Sequence, residues 1–176
     1  MKHLTKIIIT LILLTPLVSG YAQSNGDFRT KWGDNWTNVS AWQMFNGTQW
    51  VNASRYPTSN DGVITITGWT VVNDNITADQ IVVTSDGAIE VKAGKTLTLN
   101  HNASSTYDLQ CGGNLQVKGD FVMTQNSKVT ISKTSWITGG FTMNQGSILT
   151  LPAEFSIKGG NMTVNNATIN STYIFK

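Results

Sequence analysis

Apolar residues return along this chain at a spacing of twenty. One column reads Trp69, Ile89, Leu109, Val129, Leu149 and Ile169, and a second follows two residues behind it as Val71, Val91, Cys111, Ile131, Leu151 and Ser171. Eleven of these twelve positions are apolar, where a chain that is 40% hydrophobic would place about five. Between the columns lie Thr70, Glu90, Gln110, Thr130, Thr150 and Asn170, all polar. Inward, outward, inward is the alternation of a strand, so the columns predict one short strand repeated six times. Further columns share the period: Leu97, Val117, Ile137 and Ile157; Phe121 and Phe141; Met123 and Met143. In the last copy Met162 and Val164 are offset by one from the Phe and Met columns. Gly119, Gly139 and Gly159 recur at a predicted corner, where the backbone needs a conformation that a Cβ disfavours.

A repeat that turns apolar side chains inward on several short strands cannot bury them alone, so its copies must stack. The sequence therefore predicts an all-β fold: a right-handed parallel β-solenoid over residues 61–176, with about 20 residues per coil and five or six coils. At about 4.8 Å per coil the stack is roughly 25 Å tall. The competing arrangement is an antiparallel sandwich. Residues 23–60 lack the period and carry Phe28, Trp32, Trp36, Trp42, Phe45, Trp50 and Tyr56. They are expected to cap the first coil, with tryptophans mostly in its core and a hairpin turning at Asn46-Gly47. The other end shows no equivalent cap, and Tyr173-Ile174-Phe175-Lys176 covers it thinly. A protein partner is one occupant of that end.

Residues 1–22 read as a secretion signal. Lys2 and Lys6 give a positive start, Ile7 to Leu14 an apolar run, and Gly20-Tyr21-Ala22 a small-x-small cleavage site, so the mature chain is expected to begin at Gln23. That run is too short to be read as a membrane span, and the expected location is secreted, on the cell surface or periplasmic. Without Lys2 and Lys6, ten basic residues face ten acidic ones. No basic patch is visible, which argues against a nucleic-acid partner. With Cys111 alone, no intrachain disulfide can form. Only 12% of residues are charged, and Asn, Thr, Ser and Gln supply the polar surface that suits strands and turns.

Several runs carry a resemblance. Asn25-Gly26-Asp27-Phe28-Arg29-Thr30-Lys31, Trp36-Thr37-Asn38-Val39-Ser40-Ala41-Trp42, Phe45-Asn46-Gly47-Thr48-Gln49-Trp50 and Tyr56-Pro57-Thr58-Ser59-Asn60-Asp61-Gly62-Val63-Ile64-Thr65-Ile66 together resemble the opening module of large surface proteins exported by type IX secretion in Gram-negative bacteria. Gly68-Trp69-Thr70-Val71 and Gly87-Ala88-Ile89-Glu90-Val91 are similar to strands of the G8 family of extracellular β-solenoids. The likeness implies an extracellular β-helix without an enzymatic motif. The family often has His where Trp69 stands, which would put a large ring into the core column.

The candidate chemistry is sparse. Beyond the leader there is one histidine, His101, expected to be structural and aligned with Phe121 and Phe141; pairing it with Asp108 and a serine has no motif behind it. Charged residues scatter over the columns, so no pair of carboxylates suggests sugar cleavage, and the chain is expected not to be an enzyme and to need no cofactor. Cys111 falls in an apolar column and is expected to be buried and inert. Asn60-Asp61 and Asp74-Asn75 with Asp79 lack the ligand spacing of a calcium loop, so no metal is expected and turn chemistry accounts for them. The Thr70, Thr130 and Thr150 column is interrupted by Glu90 and Gln110, against an ice-binding array. The sharpest ligand-binding candidate is Trp136, at a position where neighbouring copies carry Gln116 and Ser156, beside Thr138. An outward indole with polar neighbours is a platform for a polysaccharide. Two functions follow as expectations: a non-catalytic structural or adhesive module, or a carbohydrate-binding module.

Overall fold

The computed structural model describes residues 22–102, 106–151 and 155–171. Most of the expected leader and the terminal Tyr173-Ile174-Phe175-Lys176 lie outside the described residues. The fold is nearly all β, a solenoid of about five turns roughly 20 residues apart. Three sheets form its walls. In spatial order the first holds β3 (Trp50–Asn52), β2 (Trp42–Phe45), β1 (Phe28–Thr30), β4 (Ile64–Ile66), β7 (Ile81–Val83), β10 (Leu109–Cys111), β13 (Lys128–Ile131), β16 (Ile148–Leu151) and β19 (Thr168–Ser171). The second holds β5 (Trp69–Val72), β8 (Ala88–Val91), β11 (Asn114–Val117), β14 (Ser135–Ile137) and β17 (Phe155–Ile157). The third holds β6 (Ile76–Ala78), β9 (Thr96–Leu99), β12 (Asp120–Met123), β15 (Phe141–Met143) and β18 (Met162–Val164).

From β1 onward every ladder pairing within the walls is parallel, and each turn of chain visits the three sheets once. A strand of three or four residues buries only one or two side chains inward, so each coil depends on the coils above and below. One coil supplies Leu109, Cys111, Leu115, Val117, Phe121 and Met123, all fully buried. Phe121 and Phe141 stack with centroids 5.7 Å apart, extending that ladder along the axis.

Two of the three recurring corner glycines act by a different cause from the one expected, whereas Gly159 has the expected left-handed backbone, with φ of 83°. Gly119 and Gly139 do not adopt the left-handed region. A Cβ on Gly139 would collide with the carbonyl oxygen of Gly119, and one on Gly160 with that of Gly139. They are selected because successive coils bring backbone onto backbone there. Left-handed conformations recur from coil to coil at the corner after the third sheet, where Asn126, Gly146 and Asn166 have φ of 63°, 74° and 47°.

The strict count of twenty holds from β10 onward and fails before it. Leu109, Val129, Leu149 and Ile169 share the first sheet, but the partner of Leu109 below is Ile81, not Ile89. Ile89 and Trp69 belong to the second sheet, where Ile89 pairs with Leu115 and Thr70. The coil between Ile81 and Leu109 carries extra residues around His101, so counting back by twenty slides from one wall to the next. The Leu97 column fails for the same reason, since Leu97 pairs with Phe121 while Val117 pairs with Val91. The offset of Met162 and Val164 is real: they pair with Phe141 and Met143.

The cap forms as a hairpin, β2 and β3, turning at Asn46-Gly47 and pairing antiparallel onto β1. Trp36 and Trp42 seal the first coil from the aqueous side, fully buried with centroids 5.2 Å apart. Their indole N–H groups donate to the carbonyls of Pro57 at 3.0 Å and Trp36 at 2.7 Å. At the opposite end β17 and β19 are only partly buried, and Met162 and Val164 of β18 are exposed. Among the described residues no helix is long and apolar enough to cross a membrane.

Candidate ligand-binding face

The outer surface of the second sheet gathers the candidate residues. Its central outward row runs Val71, Glu90, Gln116, Trp136, Ser156 from coil to coil. Trp136 thus points outward between Gln116 and Ser156, half-buried, and Thr138 follows it exposed at the strand's end. The Thr138 hydroxyl lies 3.4 Å from the carbonyl of Val117.

The structure adds Trp69 to this face. The expected inward column would have buried it, yet it is 49% exposed. The alternation along β5 is reversed, with Thr70 and Val72 inward and Trp69 outward. Its indole N–H donates to Glu90 Oε2 at 3.2 Å on the next coil, and the Lys118 ammonium donates to Glu90 Oε1 at 2.6 Å one coil further. Lys118 beside Glu90 holds the Glu90 carboxyl below the usual glutamate range, and the indole N–H contributes in the same direction. Trp69 reaches along the stack to Glu90, past its own register partner, the small Ala88. An indole fixed at its N–H and half open to solvent is a preformed flat surface. Trp136 lies three coils up the same wall, about 14 Å away along the axis.

The reversal in β5 has a cost. Thr70 Oγ1 is buried without a hydrogen-bond partner. The signal for this register was present in the sequence as Val72 and Val91, which the structure pairs, but the apolar Trp69 and Val71 outweighed it. Trp32, 49% exposed, stands nearby, because Gly33 and Gly68 bring the two backbone segments together. It departs from the expectation that the cap tryptophans lie in the core, and the Lys31 ammonium sits 4.5 Å from its ring centroid.

The remaining candidates are engaged by neighbouring groups of the fold. His101 does not align with Phe121; it follows β9, and its Nδ1 lies 3.2 Å from both carboxylate oxygens of Asp108. No motif pointed to that pair, but the fold makes it. Asp108 is fully buried and also accepts the Lys128 backbone N–H at 2.6 Å, so the pair pins the enlarged coil to the next one. Cys111 is buried, and burial pushes its thiol up to about 11. The carboxylates of the Asn/Asp groups serve turns: Asp61 accepts from the Thr58 backbone N–H at 2.7 Å and pairs with Arg55, and Asp74 accepts from the Asn75 N–H at 2.9 Å. Burial opposes the charge of Asp61, but Arg55 and Thr58 bring its carboxyl below the usual range. Among the described residues no three His, Cys, Asp or Glu side chains come together as a metal site would require.

The architecture is that of a β-solenoid, and its coils define the class of fold. In comparisons with known proteins the chain matches no family model, no curated protein and no solved structure.

Proposed function

We propose that this chain is a non-catalytic extracellular β-solenoid, a structural or adhesive module of a secreted or cell-surface protein. The observation that carries this reading is the inward ladder, filled from Phe28 to Leu151 with backbone-on-backbone corners. Such a stack is stiff because every coil is held by its neighbours, and its outer rows offer short polar side chains for contact. The leader expected at residues 1–22 and the likeness to G8-like surface modules support the location. Expression of the full chain in a Gram-negative host tests it: protein outside the cytoplasm beginning at Gln23 supports the reading, and cytoplasmic protein beginning at Met1 overturns it.

A second reading, a carbohydrate-binding module, is favoured by Trp69, because its ring is both exposed and fixed. Sugar rings stack on such surfaces, and beside the wall's other indole, Trp136, its register partner Gln116 and the following Thr138 offer polar groups. Retention on a panel of insoluble and soluble polysaccharides, compared with Trp69→Ala and Trp136→Ala, separates the readings. Retention lost in either variant makes the second sheet a glycan platform; no retention on any polymer leaves the scaffold alone.

A further inference from the structure

A pocket of about 210 Å³ opens on a different wall, the outer face of the first sheet, beneath the cap hairpin; Asp27, Arg29, Trp50, Val63, Thr65 and Thr67 line it. Arg29 points outward from β1, with Gln43 of β2 and Thr65 of β4 as its register partners on either side. Its Nε donates to Gln43 Oε1 at 2.9 Å, and its guanidinium carbon lies 4.4 Å from the centroid of Trp50. Trp50 is itself backed by Phe45, with centroids 5.4 Å apart. The cation is therefore held in place from two directions, while its two Nη groups make no hydrogen bond or ion pair within the described residues. A fixed guanidinium with its fork free matches a planar carboxylate in two parallel hydrogen bonds.

The wall limits the charge of the ligand. Asp27 is the acidic side chain lining the pocket, and its oxygens are taken by the backbone N–H groups of Val63 and Ser24, each at 2.8 Å. One cation facing one buried carboxylate favours a monoanion over a dianion such as phosphate. The wall also limits the ligand's skeleton. β1 is paired with β2 and β4, and β4 with β1 and β7, so the pocket floor offers no open strand edge for a peptide to extend. What it offers are hydroxyls: Thr65 lies in the pocket, and the outward row continues through Val82 and Gln110 to Thr130 and Thr150.

We propose that this pocket binds a carboxylate-bearing sugar unit, a uronate, with the Nη groups of Arg29 on its carboxylate and Thr65 on a ring hydroxyl. This site is independent of the indoles on the second sheet. Calorimetric titration of the full chain with galacturonate and glucuronate tests it, with galactose and glucose as neutral counterparts and N-acetylglycine and inorganic phosphate as other anions. Saturable binding of a uronate is expected, absent for the neutral sugars and weaker with rising salt. Arg29→Gln should weaken it at least about tenfold, and Lys158→Gln, which removes an exposed cation at the far end of the second sheet, should leave it unchanged. Should Arg29→Gln disturb the hairpin, as far-UV circular dichroism would reveal, Thr65→Val keeps the cation and should still weaken binding severalfold. Absence of uronate binding, or equal binding by Arg29→Gln with an intact fold, overturns the site. N-acetylglycine or phosphate binding as tightly as the uronates overturns the sugar assignment and points to a peptide terminus or a phosphate instead.

Discussion

Replacing Leu149 by Asp places a charge in the ladder near its less protected end. Leu149 is fully buried between Val129 of β13 and Ile169 of β19, with no polar side chain of its own register row to receive a carboxylate. Loss of the leucine's contacts costs about 2–5 kcal/mol by analogy with large-to-small core substitutions. A buried carboxyl has its pKa raised by several units, so at pH 7, about three units above its unfolded value, the charge penalty is about 4 kcal/mol. The sum, about 6–9 kcal/mol, rivals the whole stability of a typical domain. In a stack the damage stays local, because each coil contacts only its neighbours. β17, β18 and β19 are already partly exposed and should be released together with β16, whereas β4 to β11 keep their coils. The folded pKa is raised, so the penalty grows as pH rises above about 4 and is mostly lifted below it. Hydrogen exchange read by mass spectrometry at pH 7 should show protection lost from about β16 to β19 and retained near the cap, with partial recovery of the end coils near pH 3.5. Wild-type protection over residues 148–171 at pH 7, or equal loss across all coils, would refute the stacked assignment.

Two further outcomes follow from the second sheet. Thr70→Val removes the orphaned hydroxyl at nearly constant volume and should stabilise the chain by about 1 kcal/mol, raising Tm by about 2–4 °C; a lower Tm would mean the hydroxyl has a partner. Glu90 is held below the usual range by Lys118, so the stability from this cluster is present above the ordinary glutamate pKa and lost as pH falls through the lowered one. The emission difference between the wild type and Trp69→Phe should accordingly titrate with a midpoint below about 4.3 and stop titrating in Glu90→Gln. A midpoint above that value would contradict the Lys118 pairing.

The solenoid was legible because from β10 onward one coil length repeats, and alternation with a period of two marks each strand. Val117, Ile137 and Ile157 stand in one ladder as their spacing implied, and Trp136 faces outward as Gln116 and Ser156 implied. Legibility ended where the coil length changed. Around His101 the chain lengthens, and a fixed count then carried Trp69 and Ile89 onto the wrong wall. β5 held an inherent ambiguity: in Trp69-Thr70-Val71-Val72 three of four residues are apolar, and only pairing with β8 decides which of them turn inward. The Arg29 pocket was beyond reach for another reason. Gln43, Trp50 and Thr65 come from three strands, and their meeting depends on the hairpin folding back over β1. Gly119 and Gly139 illustrate the limit of a local argument, since their recurrence was visible but its cause, a neighbour's carbonyl, lies a whole coil away.

The central claim is that the first sheet runs in unbroken register through coils of twenty residues and the enlarged coil between Ile81 and Leu109 alike. Thr65, Val82, Gln110, Thr130, Thr150 and Asn170 form one outward row, five coil spacings from end to end. Nitroxide labels on Thr65→Cys and Asn170→Cys test this by double electron–electron resonance, because the buried Cys111 thiol, with its pKa pushed up to about 11, stays unlabelled. A single narrow distance consistent with a Cα separation of about 24 Å is the result predicted. A broad distribution, or a centre displaced by more than about one 4.8 Å coil spacing, would contradict the register and with it the stack.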